Sequence, residues 1–138
     1  MSKIFLNISL LIMSFITPLI QTSGSESDHD VFVPIAKYIQ QGDADKLSAW
    51  FADNLEVTLF TYSNESSRNQ AKQIMKTFFK NYTPRKFVIN HKVTHSNLKY
   101  AVGTLNAGGE SFLVTIFVGS KPSTDIFQIQ QIKIEKME

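Results

Sequence analysis

Two histidines on one predicted strand are the residues best suited by type to chemistry. His91 and His95 stand four positions apart in a segment that alternates apolar and polar residues. Four residues of strand span about 13 Å, which is too far for two imidazoles to share one metal ion. No metal site is therefore predicted, even with His29 included. A lone histidine on an apolar face usually lines a cavity or core, so His91 is predicted to face a pocket and His95 its rim.

The carboxylates do not form a catalytic pattern. An isomerase-type mechanism needs a base aimed into a cavity and an acid held neutral opposite it. Glu56 is the only acid inside an early strand, and it is out of phase with Leu55 and Val57, so it should point away from the apolar side. Gly119-Ser120 lacks the turn motif of a nucleophilic serine. No catalytic residue and no cofactor are predicted.

Aromatic side chains are numerous for so short a chain. They could simply fill a small core, because aromatic rings dominate such cores. Alternatively, some of them line a mostly apolar pocket with a few polar tips, as small-molecule sites do. On that second interpretation the predicted pocket residues are Trp50, Tyr62, His91 and Tyr100.

The first 24 residues have the pattern of a signal peptide. Lys3 precedes the apolar run 4–20, Pro18 interrupts it, and the small residues Ser23 and Gly24 follow. Cleavage is predicted after Ser23 or Gly24, with residues 25–30 as a linker. The domain is then exported, periplasmic or secreted, with no stable membrane span after cleavage. An uncleaved anchor is the alternative, but the run is short for a spanning helix.

Composition excludes several classes of function. The chain has no cysteine, so it carries no disulfide, thiol nucleophile or cysteine zinc site. Its 14 basic and 12 acidic residues are scattered, whereas a nucleic-acid-binding protein usually shows a clustered basic excess. Binding to nucleic acid is not predicted.

Helical spacing places three helices in the first half of the domain. Apolar residues from Val31 to Ile39 form one stripe, which Gly42 ends. Asp43 then caps a short second helix. Ser67 and Gln70 have the spacing of a capping box, and a regular apolar stripe follows as far as Tyr82.

Period-two alternation predicts five strands. They cover residues 55–60, 86–95, 98–106, 111–118 and 126–135, and the polar stretch 63–66 is predicted to separate the first strand from the third helix. The apolar phase slips in the last strand, which predicts a bulge at Gln130-Gln131. Residues 31–138 are thus predicted to form one α+β domain, with three helices packed on a strongly curved antiparallel sheet.

Several segments resemble a family of small exported proteins of unknown function from Bacteroidetes-type bacteria. They are residues 42–44 leading to Trp50-Phe51, residues 67–71 opening a helix that ends at Phe78-Phe79, and residues 87–91 followed by 100–103. The order of elements is similar to the nuclear transport factor 2-like (cystatin-like) superfamily. That resemblance implies a cone-shaped fold with a pocket open at one end.

The resemblance implies three functions, and the fold does not choose among them. The first is a non-enzymatic domain that binds a small apolar ligand or a peptide in the cone. The second is a module that forms a homodimer through the outer sheet face, predicted to carry Val88, Lys92, Thr94, Ala101 and Leu105. The third is a small isomerase- or dehydratase-like enzyme that uses His91 as general base with Tyr62 or Tyr100 as donor.

Overall fold

A computed structural model describes residues 30–138. The predicted signal peptide, its cleavage site and residues 25–29 of the predicted linker, including His29, lie outside the described residues. Among the residues described, no helix is long and apolar enough to cross a membrane.

Three helices and six strands form the described part of the chain, residues 30–138. The helices are α1 (Phe32–Gln41), α2 (Ala44–Ser48) and α3 (Arg68–Asn81). The strands are β1 (Phe51–Leu59), β2 (Tyr62–Ser67), β3 (Pro84–Thr94), β4 (Leu98–Ala107), β5 (Glu110–Ser120) and β6 (Phe127–Lys136). The α+β class is therefore confirmed.

The helix ends follow the predicted capping chemistry. Gly42 has a φ of +68° after α1, and the Asp43 side chain accepts a hydrogen bond from the backbone N–H of Lys46 (3.0 Å) at the start of α2. At α3 the capping box is complete. Ser67 Oγ accepts from the Gln70 N–H (3.2 Å), while Gln70 Oε1 accepts from the Ser67 N–H (3.0 Å).

The sheet is mixed, whereas the sequence predicted an antiparallel one. The strand order is β2-β1-β6-β5-β4-β3, and every neighbouring pair is antiparallel except β1 and β6, which run parallel. A parallel pair needs a long crossover, and here the chain between β1 and β6 contains α3 and four other strands.

Strand β2 is absent from the sequence-based prediction, which treated residues 63–66 as a polar separator. These residues instead pair with β1 in an antiparallel hairpin whose two-residue loop is Phe60-Thr61. Because β2 lies at the edge of the sheet, residues 62–65 stay exposed and only Ser66 is buried.

Two of the register shifts in the sheet decide which side chains of β3 and β6 face the helices. The register between β5 and β6 shifts at Gln130, which confirms the predicted bulge. A second shift lies between Ile89 and His91 on β3, where Asn90 is the extra residue. Each bulge bends its strand and reverses which face the following residues occupy.

The inner face of the sheet packs against the helices. On β5 the buried residues Phe112, Val114 and Ile116 alternate with the half-buried Leu113 and Thr115. The buried set defines the inner face and the half-buried set the outer face. Helix α1 packs on β3, and α3 packs on β1, β2 and α2.

Candidate functional site

An aromatic cluster fills the space between α3 and the inner face at one end of the domain. Phe78 and Phe112 are both buried, with ring centroids 5.3 Å apart. Tyr82 lies 5.2 Å from Phe78 and 5.0 Å from Phe112. Rings at these separations contribute packing energy beyond their buried area. The aromatic residues at this end of the domain therefore belong to the hydrophobic core.

Phe60 joins this cluster from the β1–β2 loop in an unusual backbone conformation. Its ring centroid lies 6.1 Å from that of Phe112 and 6.2 Å from that of Tyr82. Its φ is +60°, a region that costs a residue with a Cβ about 1–2 kcal/mol, and tight hairpin loops normally place glycine or asparagine there. Its N–H donates to Ile134 O (2.8 Å). The residue remains 37% exposed.

An apolar groove lies beside this ring. It has a volume of about 360 Å³ and is bounded by the β1–β2 loop and the C-terminal half of α3. Its lining residues are Leu59, Phe60, Gln73, Ile74, Thr77, Phe78, Asn81 and Tyr82. None of these side chains is charged, so the groove suits an uncharged, apolar group.

A second groove, the amide groove, continues along the N-terminal half of α3. Its volume is about 410 Å³, and it lies between α3 and β2. It is lined by Asn64, Glu65, Ser66, Asn69, Gln70, Gln73 and Ile74. It shares Gln73 and Ile74 with the apolar groove, so the two form one trough.

A third groove lies at the far edge of the sheet and is polar. It has a volume of about 450 Å³ and includes Arg85, Lys86 and Glu110 in its wall. Glu110 Oε1 accepts a hydrogen bond from Lys136 Nζ (2.6 Å), which raises the pKa of Lys136 above its usual value. Cations and a carboxylate share this wall, so its charge favours neither an anion nor a cation.

The predicted face of His91 is wrong. Phe87 and Ile89 face the helices, but the bulge at Asn90 places His91 opposite Val102, on the outer face. The side chain is exposed, and its ring lies 6.0 Å from Tyr100, which in turn lies 5.4 Å from Phe117. His91, Tyr100 and Phe117 therefore form a row of rings across three strands of the outer face.

The four predicted pocket residues do not meet at one cavity. Tyr62 is 75% exposed on the edge strand β2, at the opposite edge of the sheet from His91 on β3. Trp50 is half-buried between α2 and β1, and its carbonyl accepts from the Ile129 N–H (2.6 Å). Only His91 and Tyr100 are neighbours, and none of the four lines the grooves above.

The assignment of Ala101 and Leu105 to the outer face is also wrong, because both are buried on the inner face. Lys92 and Thr94, which were assigned to the outer face as well, follow the bulge on the side of Ala101, the direct partner of Lys92. Glu56 does lie on the outer face, where its Oε2 accepts a hydrogen bond from Ser63 Oγ (2.5 Å). Within residues 30–138, no three His, Asp or Glu side chains come close enough together to hold a metal ion.

The residues that form the trough were not predicted as a site. In the sequence, Phe60 is one of many aromatic residues and Ile74 is one residue of the apolar stripe in α3, so neither is distinguished as a site residue. One sequence signal was available: two residues, Phe60-Thr61, between two segments that can both be extended indicate a hairpin loop. The polar composition of residues 62–67 concealed the second segment.

Comparison with known families agrees with this architecture. The model of a domain of unknown function, DUF4783, matches residues 32–135. The chain belongs to the DUF4783 family. A search of curated proteins finds no match.

Solved structures extend the likeness to the fold. A DUF4783 protein from Bacteroides uniformis is 21% identical, with a TM-score of 0.74 over 79% of this chain and 99% of that one. An NTF2-like protein of unknown function from Cytophaga hutchinsonii is 8% identical, with a TM-score of 0.57 over 78% of this chain and 88% of that one. A cystatin-like domain of unknown function from Nostoc punctiforme is 11% identical, with a TM-score of 0.62 over 85% of this chain and 79% of that one. The domain therefore has an NTF2-like, cystatin-like fold, as the resemblance implied.

Within this DUF4783 domain, two of the motifs that carry the resemblance are structural. Residues 87–91 and 100–103 lie on the neighbouring strands β3 and β4, where Ile89 pairs with Gly103 and His91 with Val102. Gly103 gives the Phe87 ring room to lie against β4.

Proposed function

We propose that this DUF4783 domain is a non-enzymatic binding domain that holds a small apolar molecule, or an apolar side chain of a peptide, in the apolar groove. The observation that carries the proposal is Phe60. Its backbone adopts a costly conformation, and its ring forms one wall of the groove while remaining partly exposed. Strained residues in folded proteins concentrate at functional sites.

The chemistry of the groove agrees with an apolar ligand. Phe60, Ile74 and Phe78 supply apolar walls, while the amides of Gln73 and Asn81 offer a few hydrogen bonds. A pocket with mostly apolar walls and few polar groups is the usual form of a small-molecule site. His91 lies on the outer face, away from this groove, so the geometry does not support an isomerase- or dehydratase-like mechanism.

Binding of the neutral fluorescent probe N-phenyl-1-naphthylamine to residues 30–138 tests this proposal. The Bacteroides uniformis relative, matched over 99% of its length, indicates that this region folds alone. We expect saturable binding that Phe60→Gly weakens at least tenfold, because glycine keeps the loop but removes the wall. Val88→Gln, which changes an exposed apolar residue on β3, serves as the matched control. Equal binding by both variants and the unchanged domain would contradict the proposal.

A homodimer formed through the outer face is the second candidate. The half-buried residues Tyr100, Val102, Leu113 and Phe117 form a continuous apolar area on β4 and β5, and His91 extends it. Light scattering after size exclusion tests it. A dimer of residues 30–138 that Tyr100→Lys converts to a monomer would support this candidate, and a monomer at millimolar concentration would exclude it.

We also propose export, on the pattern of residues 1–24. Expression of the full chain in a Bacteroidetes host, followed by fractionation and mass spectrometry, tests it. A product in the periplasm or medium that begins at Gly24 or Ser25 is expected. A full-length chain in the membrane fraction would indicate the uncleaved anchor instead.

A further inference from the structure

We infer that the ligand of this domain is an extended peptide that adds a strand to the free edge of β2 and inserts one apolar side chain into the apolar groove. This inference rests on the proposed function and narrows its ligand to one class. It follows from the position of the trough, the free strand edge and the charge beside it.

The trough follows β2 along its length. Helix α3 begins at Arg68, directly after β2 ends, and runs back beside the strand. The N-terminal half of α3 therefore borders residues 64–66, and its C-terminal half borders the Phe60 loop. Because Gln73 and Ile74 belong to both grooves, a ligand bound at Phe60 can continue without interruption along the strand.

The edge of β2 is open to a new strand. It is the first strand of the sheet, and within the described residues it pairs only with β1. Tyr62, Ser63, Asn64 and Glu65 are all exposed. An edge strand turns a row of backbone N–H and C=O groups away from its partner, and an extended peptide can pair with that row.

The walls of the trough match a peptide better than a wholly apolar molecule. The amide groove carries the side-chain amides of Asn64, Asn69 and Gln73, which can both donate to and accept from a peptide backbone. The same groove is too polar for an apolar chain to gain by entering it. The trough therefore combines one apolar site with a longer hydrogen-bonding track.

Glu65 supplies the charge that the ligand must complement. It is the only charged residue that borders the trough, its side chain projects from the outer face of β2, and it makes no ion pair within residues 30–138. It also stands directly opposite Glu56 on β1, and like charges at opposed positions destabilise a sheet. A lysine or arginine on the ligand would pair with Glu65 and reduce this repulsion.

The strand geometry sets the spacing of the two ligand residues. Tyr62 and Asn64 face the α3 side of β2, because they oppose Leu59 and the buried Val57, whereas Glu65 opposes Glu56 on the outer face. A paired peptide must therefore direct its apolar side chain and its cation to opposite faces. Tyr62 is the first residue of β2 after the loop that carries Phe60, so it marks the end of the strand beside the apolar groove without lining that groove. It lies three residues, or about 10 Å, from Glu65. We expect the apolar and basic residues of the ligand to be three positions apart.

Capped eight-residue serine–threonine peptides with one leucine and one lysine test the inference. The two residues are placed two, three or four positions apart, in both orders, and binding to residues 30–138 is followed by displacement of N-phenyl-1-naphthylamine and by amide chemical shifts. We expect a spacing of three to bind at least tenfold tighter than two or four, with shifts along β2. Methylation of alternate backbone nitrogens in that peptide should abolish binding.

Two variants test whether the Glu65 carboxylate causes the preference for a lysine in the peptide. Glu65→Gln should remove most of the preference for lysine over an uncharged residue in the peptide. Asp125→Asn, which neutralises an exposed loop carboxylate, should leave it unchanged. Peptide binding that ignores spacing and Glu65 would overturn the inference. If the probe binds and no peptide displaces it, the inference fails while the proposed function stands. If neither binds, both fail.

Discussion

Gly103 on β4 lies against Phe87 on β3 so closely that a methyl group on Gly103 would come within 2.8 Å of two ring carbons. The same methyl group would lie 2.6 Å from the carbonyl oxygen of Val88. Phe87 is buried and its neighbouring backbone is held in the sheet, so neither group can move away easily.

Gly103→Ala is therefore expected to lower the free energy of unfolding by about 1–3 kcal/mol, the usual cost of overpacking a core. Urea denaturation of residues 30–138 measures it. Gly119→Ala is the matched control, because the three atoms nearest to its new methyl group all belong to the end of the exposed Gln130 side chain, which can rotate. Equal losses in the two variants would contradict the rigid contact at Phe87.

Removing two different rings of the aromatic cluster is expected to lower the free energy of unfolding by different amounts. Phe112→Ala removes a buried ring and should cost about 3–5 kcal/mol. Phe60→Gly should stay within about 1 kcal/mol of the unchanged domain, because relief of the positive φ offsets the loss of a partly exposed ring. Thermal unfolding compares the two. A large loss for Phe60→Gly would mean that Phe60 is retained for stability rather than for binding.

The capping box at α3 should behave as one unit. Ser67→Ala is expected to cost about 1 kcal/mol, because the Gln70 N–H loses its acceptor at the start of the helix. Gln70→Ala should cost less, since the Ser67 N–H is exposed and water can replace its partner. A double-mutant cycle by urea denaturation measures the coupling. Strict additivity of the two losses would show that the two hydrogen bonds form independently.

The bulge at Gln130 maintains the inner face of β6. Gln130 is the extra residue, so deleting it leaves Ile129, Ile132 and Ile134 in unbroken alternation and all three can stay on the inner face. Deleting Lys133 instead would put Ile132 and Ile134 on opposite faces although both are buried, and we expect a loss of more than about 3 kcal/mol, comparable with truncation of a buried isoleucine. Circular dichroism during urea titration measures both deletion variants, and equal losses would contradict the assignment of Gln130 as the extra residue.

The elements with strong periodicity were predictable. The stripe in α3 and the capping box before it define that helix from sequence, and the apolar phase slip in β6 indicates its bulge. The bulge at Asn90 has no such signal. Residues 87–95 alternate without interruption, so sequence alone placed His91 with Phe87. Only the pairing with β4 shows that the two face opposite sides.

The trough was not predictable for a related reason. Residues 62–67 have few of the side chains that favour strands, and they become β2 because β1 offers them hydrogen-bond partners. The positive φ of Phe60 also depends on this hairpin, since an isolated phenylalanine avoids that conformation. Both features arise from tertiary pairing rather than from local preference.

The parallel pairing of β1 with β6 has a consequence for how the chain folds. Val57 and Ile132 are paired although they are about 75 residues apart in sequence, and such distant contacts are slow to form because a long loop must close first. The first and last strands of the described domain lie side by side within the sheet, so the sheet cannot be completed before β6 has emerged from the ribosome. Until its last ten or so residues are available, the nascent domain has an incomplete sheet and stays accessible to chaperones and proteases.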